Sequence, residues 1–190
     1  MSSFVLLSDP TRSAALDIAD RLRTRGCEIS FDPNLRLSLW KSQAEAKRIH
    51  RQMIRRSTIL KLNEVEAIFL TGDKTLESAI EKLWALGPKV VIVTMGKEGC
   101  YARTPHGSTF VKGFRVKTVD TTGCGDGFLA GLLSGTVTSN VRVIDISLGS
   151  WYSICQAANA VGAITATRRG VFDALPTAKE VKKFLSAHLL

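Results

Sequence analysis

The sequence predicts an α/β protein: a doubly wound, mostly parallel sheet with helices on both faces. Three observations carry that expectation. Strand-like and helix-like segments alternate along the chain, the pattern of βα units. Lys89–Thr94, KVVIVT, is a continuous β-branched run, as expected of a strand covered on both faces. The 190 residues are 45% hydrophobic, enough to bury the core of one domain over residues 1–190.

The elements follow in order. Phe4–Leu7 is a short apolar run. Asp9-Pro10 reads as a helix start with proline at the first helical position, and the helix runs to about Arg25, where Gly26 stops it. Cys27–Phe31 reads as a buried strand. The segment from Lys41 to Lys61 contains an amphipathic helix with Trp40, Ala44, Ile49 and Met53 inward. Ser57–Leu60 is another short strand. Asn63–Leu70 and Leu76–Leu86 read as helices separated by Thr71-Gly72-Asp73. After the Lys89–Thr94 strand, Tyr101–Arg103 and Thr109–Phe114 form a β-ribbon. Helices follow over about Asp126–Ser134 and Val143–Thr167, and a last one opens with the capping box Thr177-x-x-Glu180.

A net charge of +9 and a pI of about 9.7 suit a partner that is a polyanion or an enzyme that handles phosphates. The many cations between Lys41 and Lys61 read as a solvated helix face. No aromatic interleaving or reader motif accompanies them, so nucleic acid is not expected as a partner. Cys27, Cys100, Cys124 and Cys155 form no CxxC or Cys/His cluster, which indicates reduced thiols and a cytoplasmic location. The four-residue apolar run near the start is too short for a signal peptide or membrane span, so no membrane association is expected.

The segment that carries chemistry is Asp120–Phe128, DTTGCGDGF, a glycine-rich turn feeding a helix. Gly123 and Gly125 permit tight backbone and close ligand approach. The first helical turn offers unpaired N–H groups and the positive end of the helix dipole, an anion site suited to phosphate. Asp126 sits in that turn and could be a helix cap or a general base. The pattern is neither a Walker A loop nor a dinucleotide GxGxxG.

DTTGCGDGF resembles the second signature of the PfkB/ribokinase-family carbohydrate kinases, departing only at Cys124, one small residue for another. The resemblance implies a ribokinase-like (Rossmann-like) fold, with Asp126 as the base that deprotonates a sugar hydroxyl. Gly123, Cys124 and Gly125 would form the anion hole for the transferring phosphoryl group. Four further segments match in order. Asn63-Glu64-Val65-Glu66 resembles the family's NxxE motif, in which Asn63 and Glu66 hold phosphate and the water shell of Mg²⁺; a plain capping box would look the same. Thr94, Gly96 and Gly99 match a strand-end loop beside ATP. Asn159 matches a position near the adenine, although a buried helix polar residue would fit equally. Thr165–Gly170, including Arg168, resembles the loop that holds a monovalent cation, K⁺ the candidate, with Asp120 and Thr122. FDPNLRLSLW is similar to the fructokinase branch and places Asp32, Asn34 and Arg36 near the sugar; an Asx/Pro turn is the other reading.

The resemblance therefore implies ATP-dependent phosphorylation of a small-molecule sugar. It covers only the C-terminal part of the family, without the opening strands, the lid or the first signature. The expectation is a truncated kinase, weak or inactive alone, that needs a missing N-terminal half or a homodimer partner. The competing expectations are a non-catalytic nucleotide-binding fragment and a kinase of a 2-keto-3-deoxy sugar acid, a pentose or a nucleoside.

Overall fold

A computed structural model describes residues 1–188 of the chain. Its sheet has five strands in the order β1-β2-β3-β4-β5: β1 Ser30–Phe31, β2 Ile59–Asn63, β3 Val90–Thr94, β4 Gly99–Thr104 and β5 Gly107–Lys112. β1 and β2 run parallel, with Ser30 opposite Ile59 and Phe31 opposite Leu60. Only Pro105 and His106 separate the neighbouring β4 and β5, and a link that short requires them to run antiparallel. The described residues form two compact units: Met1–Val93 with Arg103–Pro105, and Thr94–Ala102 with the chain from His106 onward.

The first unit holds α1 (Thr11–Thr24), α2 (Gln43–Ile54), α3 (Glu64–Thr71) and α4 (Leu76–Ala85). Phe31, Leu60, Leu62, Ile49, Met53, Leu70 and Leu83 form its core. Several elements differ from the sequence expectation. Phe4–Leu7 belongs mostly to a 3-10 turn, Ser3–Leu6. Pro10 occupies the cap position, one residue before the helix, and the Asp9 carboxylate accepts the Ser13 N–H at 3.1 Å. The strand expected at Cys27 shrinks to Ser30–Phe31, because Gly26 turns at φ +76° and leaves Cys27 exposed. The next strand starts late, at Ile59: Ser57 is still bonded to the end of α2, donating to Ile54 O. Ala44 is exposed, not inward. Ser42 caps α2, and the buried stripe is Ala46, Ile49, His50, Met53 and Ile54 at three- and four-residue spacing; Ala44 lies about 200° around the helix from Ala46.

His50 is fully buried, with its ring 4.9 Å from Trp40 and its Nδ1 donating to Ala46 O. Burial holds its pKa below the ordinary histidine value, only partly offset by that carbonyl. The unfolded chain therefore takes up a proton that the folded chain resists. This contribution is present above about pH 6.5 and is lost as pH falls toward the lowered folded pKa. Between about pH 7 and 5.5 the wild type should lose up to about 1.4 kcal/mol per pH unit more than His50→Phe in urea unfolding. Equal slopes would remove His50 from this account.

The second unit holds α5 (Cys124–Thr138), α6 (Leu148–Ala166) and α7 (Ala178–His188). Phe128 and Leu132 of α5 and Trp151, Cys155, Ala158 and Ile164 of α6 are buried. α6 starts later than Val143, because Val143–Asp145 is a separate 3-10 turn and Ser147 caps the helix through the Ser150 N–H at 3.1 Å. The Thr177/Glu180 capping box forms in both directions: Thr177 N–H donates to Glu180 at 2.8 Å and Glu180 N–H to Thr177 Oγ1 at 3.3 Å. All four cysteines are free. Among the described residues, no helix is long and apolar enough to cross a membrane.

Glycine is sterically required at both Gly99 and Gly113. Gly99 has φ +118°, and a Cβ there would lie 2.0 Å from Val111 O and 2.5 Å from Gly113 N. The chain crosses itself at this point: Met95 N–H donates to Gly99 O and Gly113 N–H to Glu98 O.

Candidate functional site

In the second unit, the glycine-rich segment is shaped by its first residue. Asp120 Oδ1 accepts the Thr122 N–H at 2.9 Å, folding the chain back on itself. The Thr122 amide, then its hydroxyl, and the Gly170 amide hold the Asp120 carboxyl below the usual carboxylate range. Gly123 then adopts φ +78° at the cap position, a backbone that favours glycine, and α5 begins at Cys124. The Cys124 N–H donates to Thr121 O at 3.3 Å and the Gly127 N–H to Gly123 O at 2.7 Å. The amides of Gly125 and Asp126 lie between these and have no acceptor among the described residues. They point out of the positive end of a 15-residue helix.

Asp126 is the third helical residue. It is exposed, and its carboxylate takes no hydrogen bond among the described residues. It is therefore not the helix cap, since that position belongs to Gly123. Cys124 turns its thiol toward Asp120 O, and burial, then the Asp120 charge, raises its pKa, so it stays protonated.

A cavity of about 640 Å³ opens beside this helix end. It gathers six residues singled out from the sequence: Thr94, Gly96 and Gly99 from the β3–β4 loop, Cys124 and Gly125 from α5, and Asn159 from α6. Lys97, within the Thr94–Gly99 loop matched above, also lines it, and sequence reasoning missed Phe114, Arg115 and Val116. The available signal was their place between a strand and the glycine-rich turn. A larger apolar groove of about 840 Å³, along α5, α6 and α7, contains none of the expected residues.

Among the residues expected around a monovalent cation, Asp120, Thr122 and Gly170 are adjacent. Thr165 spends its hydroxyl on Val161 O at 2.8 Å, and its carbonyl accepts the Arg168 N–H at 3.1 Å. The Arg168 guanidinium pairs with Glu180 instead. Among the described residues, no cluster of three or more His, Cys, Asp or Glu side chains could hold a metal.

In the first unit, the expected sugar-side residues lie on the turn after β1. Asp32 is buried; its Oδ1 accepts the Asn34 N–H at 3.3 Å and its Oδ2 pairs with Lys61 Nζ at 2.7 Å. Asn34 has φ +42° and Arg36 is exposed. Glu66 is buried too. Its Oε1 accepts the Leu35 N–H at 2.6 Å, its Oε2 accepts the Asn63 N–H at 2.9 Å, and Asn63 Oδ1 accepts the Glu66 N–H at 2.9 Å. The capping box thus forms, and the same carboxylate ties α3 to the Asn34–Arg36 turn. Burial raises its pKa above the usual value, opposed by the two amides.

Lys61 was not expected from the sequence. Neutralising it leaves Asp32 buried without its counter-charge, so Lys61→Met should cost about 3–5 kcal/mol in urea unfolding. Adding Asp32→Asn to the same chain should recover more than half of that loss. A Lys61→Met chain as stable as wild type would contradict the pairing.

A model of the pfkB family of carbohydrate kinases matches residues 1–178. The chain belongs to this family. Fructokinase-2 from Solanum habrochaites is 38% identical over 187 residues, spanning 96% of this chain and 56% of that protein. The chain thus spans little more than half the length of such pfkB relatives. Among solved structures, aminoimidazole riboside kinase from Salmonella enterica, complexed with aminoimidazole riboside and an ATP analogue, superposes with a TM-score of 0.87 at 32% identity. That match covers 98% of this chain and 61% of the other. A fructokinase double mutant from Vibrio cholerae, in a fructose-, ADP- and potassium-bound form, gives a TM-score of 0.89 at 30% identity, covering 97% and 58%. The pfkB assignment agrees with the ribokinase-like α/β fold expected from the glycine-rich signature.

Proposed function

We propose that this chain is the nucleotide-binding and phosphoryl-transferring part of an ATP-dependent sugar kinase, with fructose as the sugar. The observation that carries this reading is Asp126: a carboxylate that, like two amides of the same helical turn, has no partner among the described residues and lies beside a cavity. A base next to an anion site is what transfer of a phosphoryl group to a hydroxyl requires. Asp126 accepts the hydroxyl proton, while the amides of Gly125 and Asp126 meet charge on the phosphoryl oxygens. Gly123 shapes the turn, and Cys124 contributes only a small, protonated side chain. Thr94, Gly96, Gly99 and Asn159 surround the nucleotide. Asp32, Asn34 and Arg36 serve the sugar.

Mg²⁺, when bound, would supply charge neutralisation on the phosphates. Each Glu66 oxygen accepts one amide and keeps a lone pair, which suits a hydrogen bond from magnesium-bound water, with Asn63 holding the carboxylate in place. K⁺ suits the Asp120–Thr122–Gly170 turn, where Thr165 and Arg168 contribute through the backbone. A reducing cytoplasm suits the four free thiols.

The test is transfer of ³²P from labelled ATP to fructose in Mg²⁺ and K⁺. It is run with the chain alone and mixed with the amino-terminal part of a related fructokinase. Labelled sugar phosphate is expected, more of it in the mixture. Nucleotide binding with no transfer in either arm would leave a non-catalytic binding module. A nucleoside acceptor is the second reading, favoured by the 32% identity to the aminoimidazole riboside kinase; faster labelling of a riboside than of fructose would select it.

A further inference from the structure

We propose that His50 is a proton-operated latch for the turn at residues 37–40: the neutral imidazole holds Trp40 against the fold, and the protonated imidazole releases it. This is a property of the fold and stands whether or not the neighbouring Asn34 and Arg36 serve a sugar.

The imidazole is boxed in. It is fully buried on the inner stripe of α2, with the Trp40 ring 4.9 Å away and the Phe31 ring of β1 6.1 Å away. Nδ1 lies 2.7 Å from the Ala46 carbonyl oxygen, which can only accept, so Nδ1 carries the hydrogen and Nε2 a bare lone pair. Nε2 is buried and has no hydrogen-bond partner among the described residues. Protonation there adds a charge and a donor in one step, and the surroundings offer that donor no acceptor.

No neighbouring charge comes to its aid. Asp32, next to Phe31, is paired with Lys61 at 2.7 Å, Glu66 accepts the Leu35 and Asn63 amides, and Glu45 of α2 faces Arg12 at 3.8 Å. Arg36 and Lys41 flank the turn and Lys47, Arg48 and Arg51 lie on α2, all of them cations that disfavour another positive charge. Burial, opposed by the Ala46 carbonyl, accordingly holds the ring below the ordinary histidine value.

A protonated ring must therefore reach water, and the walls around it differ in what opening them disrupts. α2 also buries Ile49, Met53 and Ile54, and β1 is paired with β2 in the sheet. The turn is held far more lightly. Its Leu37–Leu39 segment buries no residue, Leu37 and Leu39 are 40% and 49% exposed, and Trp40 is half-buried. Two local hydrogen bonds close it, Leu39 N–H to Arg36 O at 3.0 Å and Trp40 N–H to Leu37 O at 3.1 Å. Lifting Trp40 is the smallest opening that wets the imidazole. Glu66 fixes the near end at the Leu35 amide, and Ser42 fixes the far end by capping α2 through the Glu45 N–H. The movement is confined to the residues between, Arg36 among them.

The experiment is an NMR titration of the 190-residue chain from about pH 8 to about pH 5, with circular dichroism at each step. It follows the His50 imidazole and the Trp40 indole N–H. The Trp40 resonance should move to the position of a solvated indole with the same midpoint as His50, below about 6.5, the ordinary histidine value, while the dichroism stays constant. In His50→Phe, which keeps an aromatic ring and takes up no proton, Trp40 should stay docked throughout. Titration of His50 with Trp40 unmoved overturns the proposal, as does a His50 that stays neutral to the end. Release of Trp40 at the same midpoint in folded His50→Phe places the trigger elsewhere and overturns it too. Loss of dichroism together with Trp40 release makes the event global unfolding and overturns the latch. If His50→Phe fails to fold, the two wild-type midpoints decide alone.

Discussion

Asp126→Asn should lower phosphoryl transfer by about 10²–10⁴-fold, the range that general-base catalysis contributes. Nucleotide affinity should move by less than about threefold, under 1 kcal/mol. The two effects separate because Asp126 does no structural work in the fold. Gly123 holds the cap position, the Asp126 carboxylate bonds to nothing among the described residues, and asparagine preserves the size of the side chain. The helix end and its amides therefore persist in the variant. Transfer is read with labelled ATP and affinity by calorimetry on the same preparation. Unchanged transfer would take the proton-accepting role away from Asp126. A large loss of nucleotide affinity would make it a binding residue instead.

Gly99→Ala should be the most destabilising single-methyl addition in the second unit. The new carbon would stand 2.0 Å from Val111 O and 2.5 Å from Gly113 N, atoms of the backbone that cannot swing aside as a side chain would. The φ of +118° adds strain for any L side chain. The crossing of the β3–β4 loop with the end of β5 must then open, which breaks the Gly113-to-Glu98 hydrogen bond and disturbs Gly96 and Gly99 on the cavity wall. A loss above about 4 kcal/mol is expected, the range reserved for backbone clashes and buried defects. Gly149→Ala is the control. It lies in α6 with nothing within 4 Å of the added carbon, and its stability should stay within about 1 kcal/mol of wild type. Similar melting temperatures for the two variants would mean that the crossing is looser than these distances describe.

Much of the site was legible because it is local. DTTGCGDGF sets its own turn through Asp120, Thr122 and Gly123, so a nine-residue string defines the helix end and its free amides. Whether Asp126 capped the helix was not decidable from that string. The answer depended on where α5 begins, and a glycine in the left-handed region moved the cap back to Gly123. The capping box at Asn63 was equally readable. That Glu66 also reaches Leu35 was not, because the partner lies 31 residues away.

Other features were hidden for similar reasons. Lys61 sits in ILKLN, where a strand buried on both faces normally excludes charge, and only the folded turn after β1 supplies Asp32 opposite it. Ala44 and Ala46 are indistinguishable by type; Ser42 decides between them by fixing where α2 starts. Arg115 carries no motif, and it reaches the cavity of the Thr94–Gly99 loop only because β4 and β5 fold back as a ribbon.

The pairing of Arg168 with Glu180 has a consequence for how the turn after α6 responds to its surroundings. The Thr177 amide, then Arg168, then the Thr177 hydroxyl lower the Glu180 carboxyl to about 2, so this latch between the segment after α6 and the start of α7 stays charged at any acidity a cell reaches. Mild acid leaves it closed. Its weakness is ionic strength: the pair is partly exposed and held by charge, and dissolved ions compete for both partners. A salt titration at constant pH, and not an acid titration at constant salt, is the perturbation that would work this latch loose.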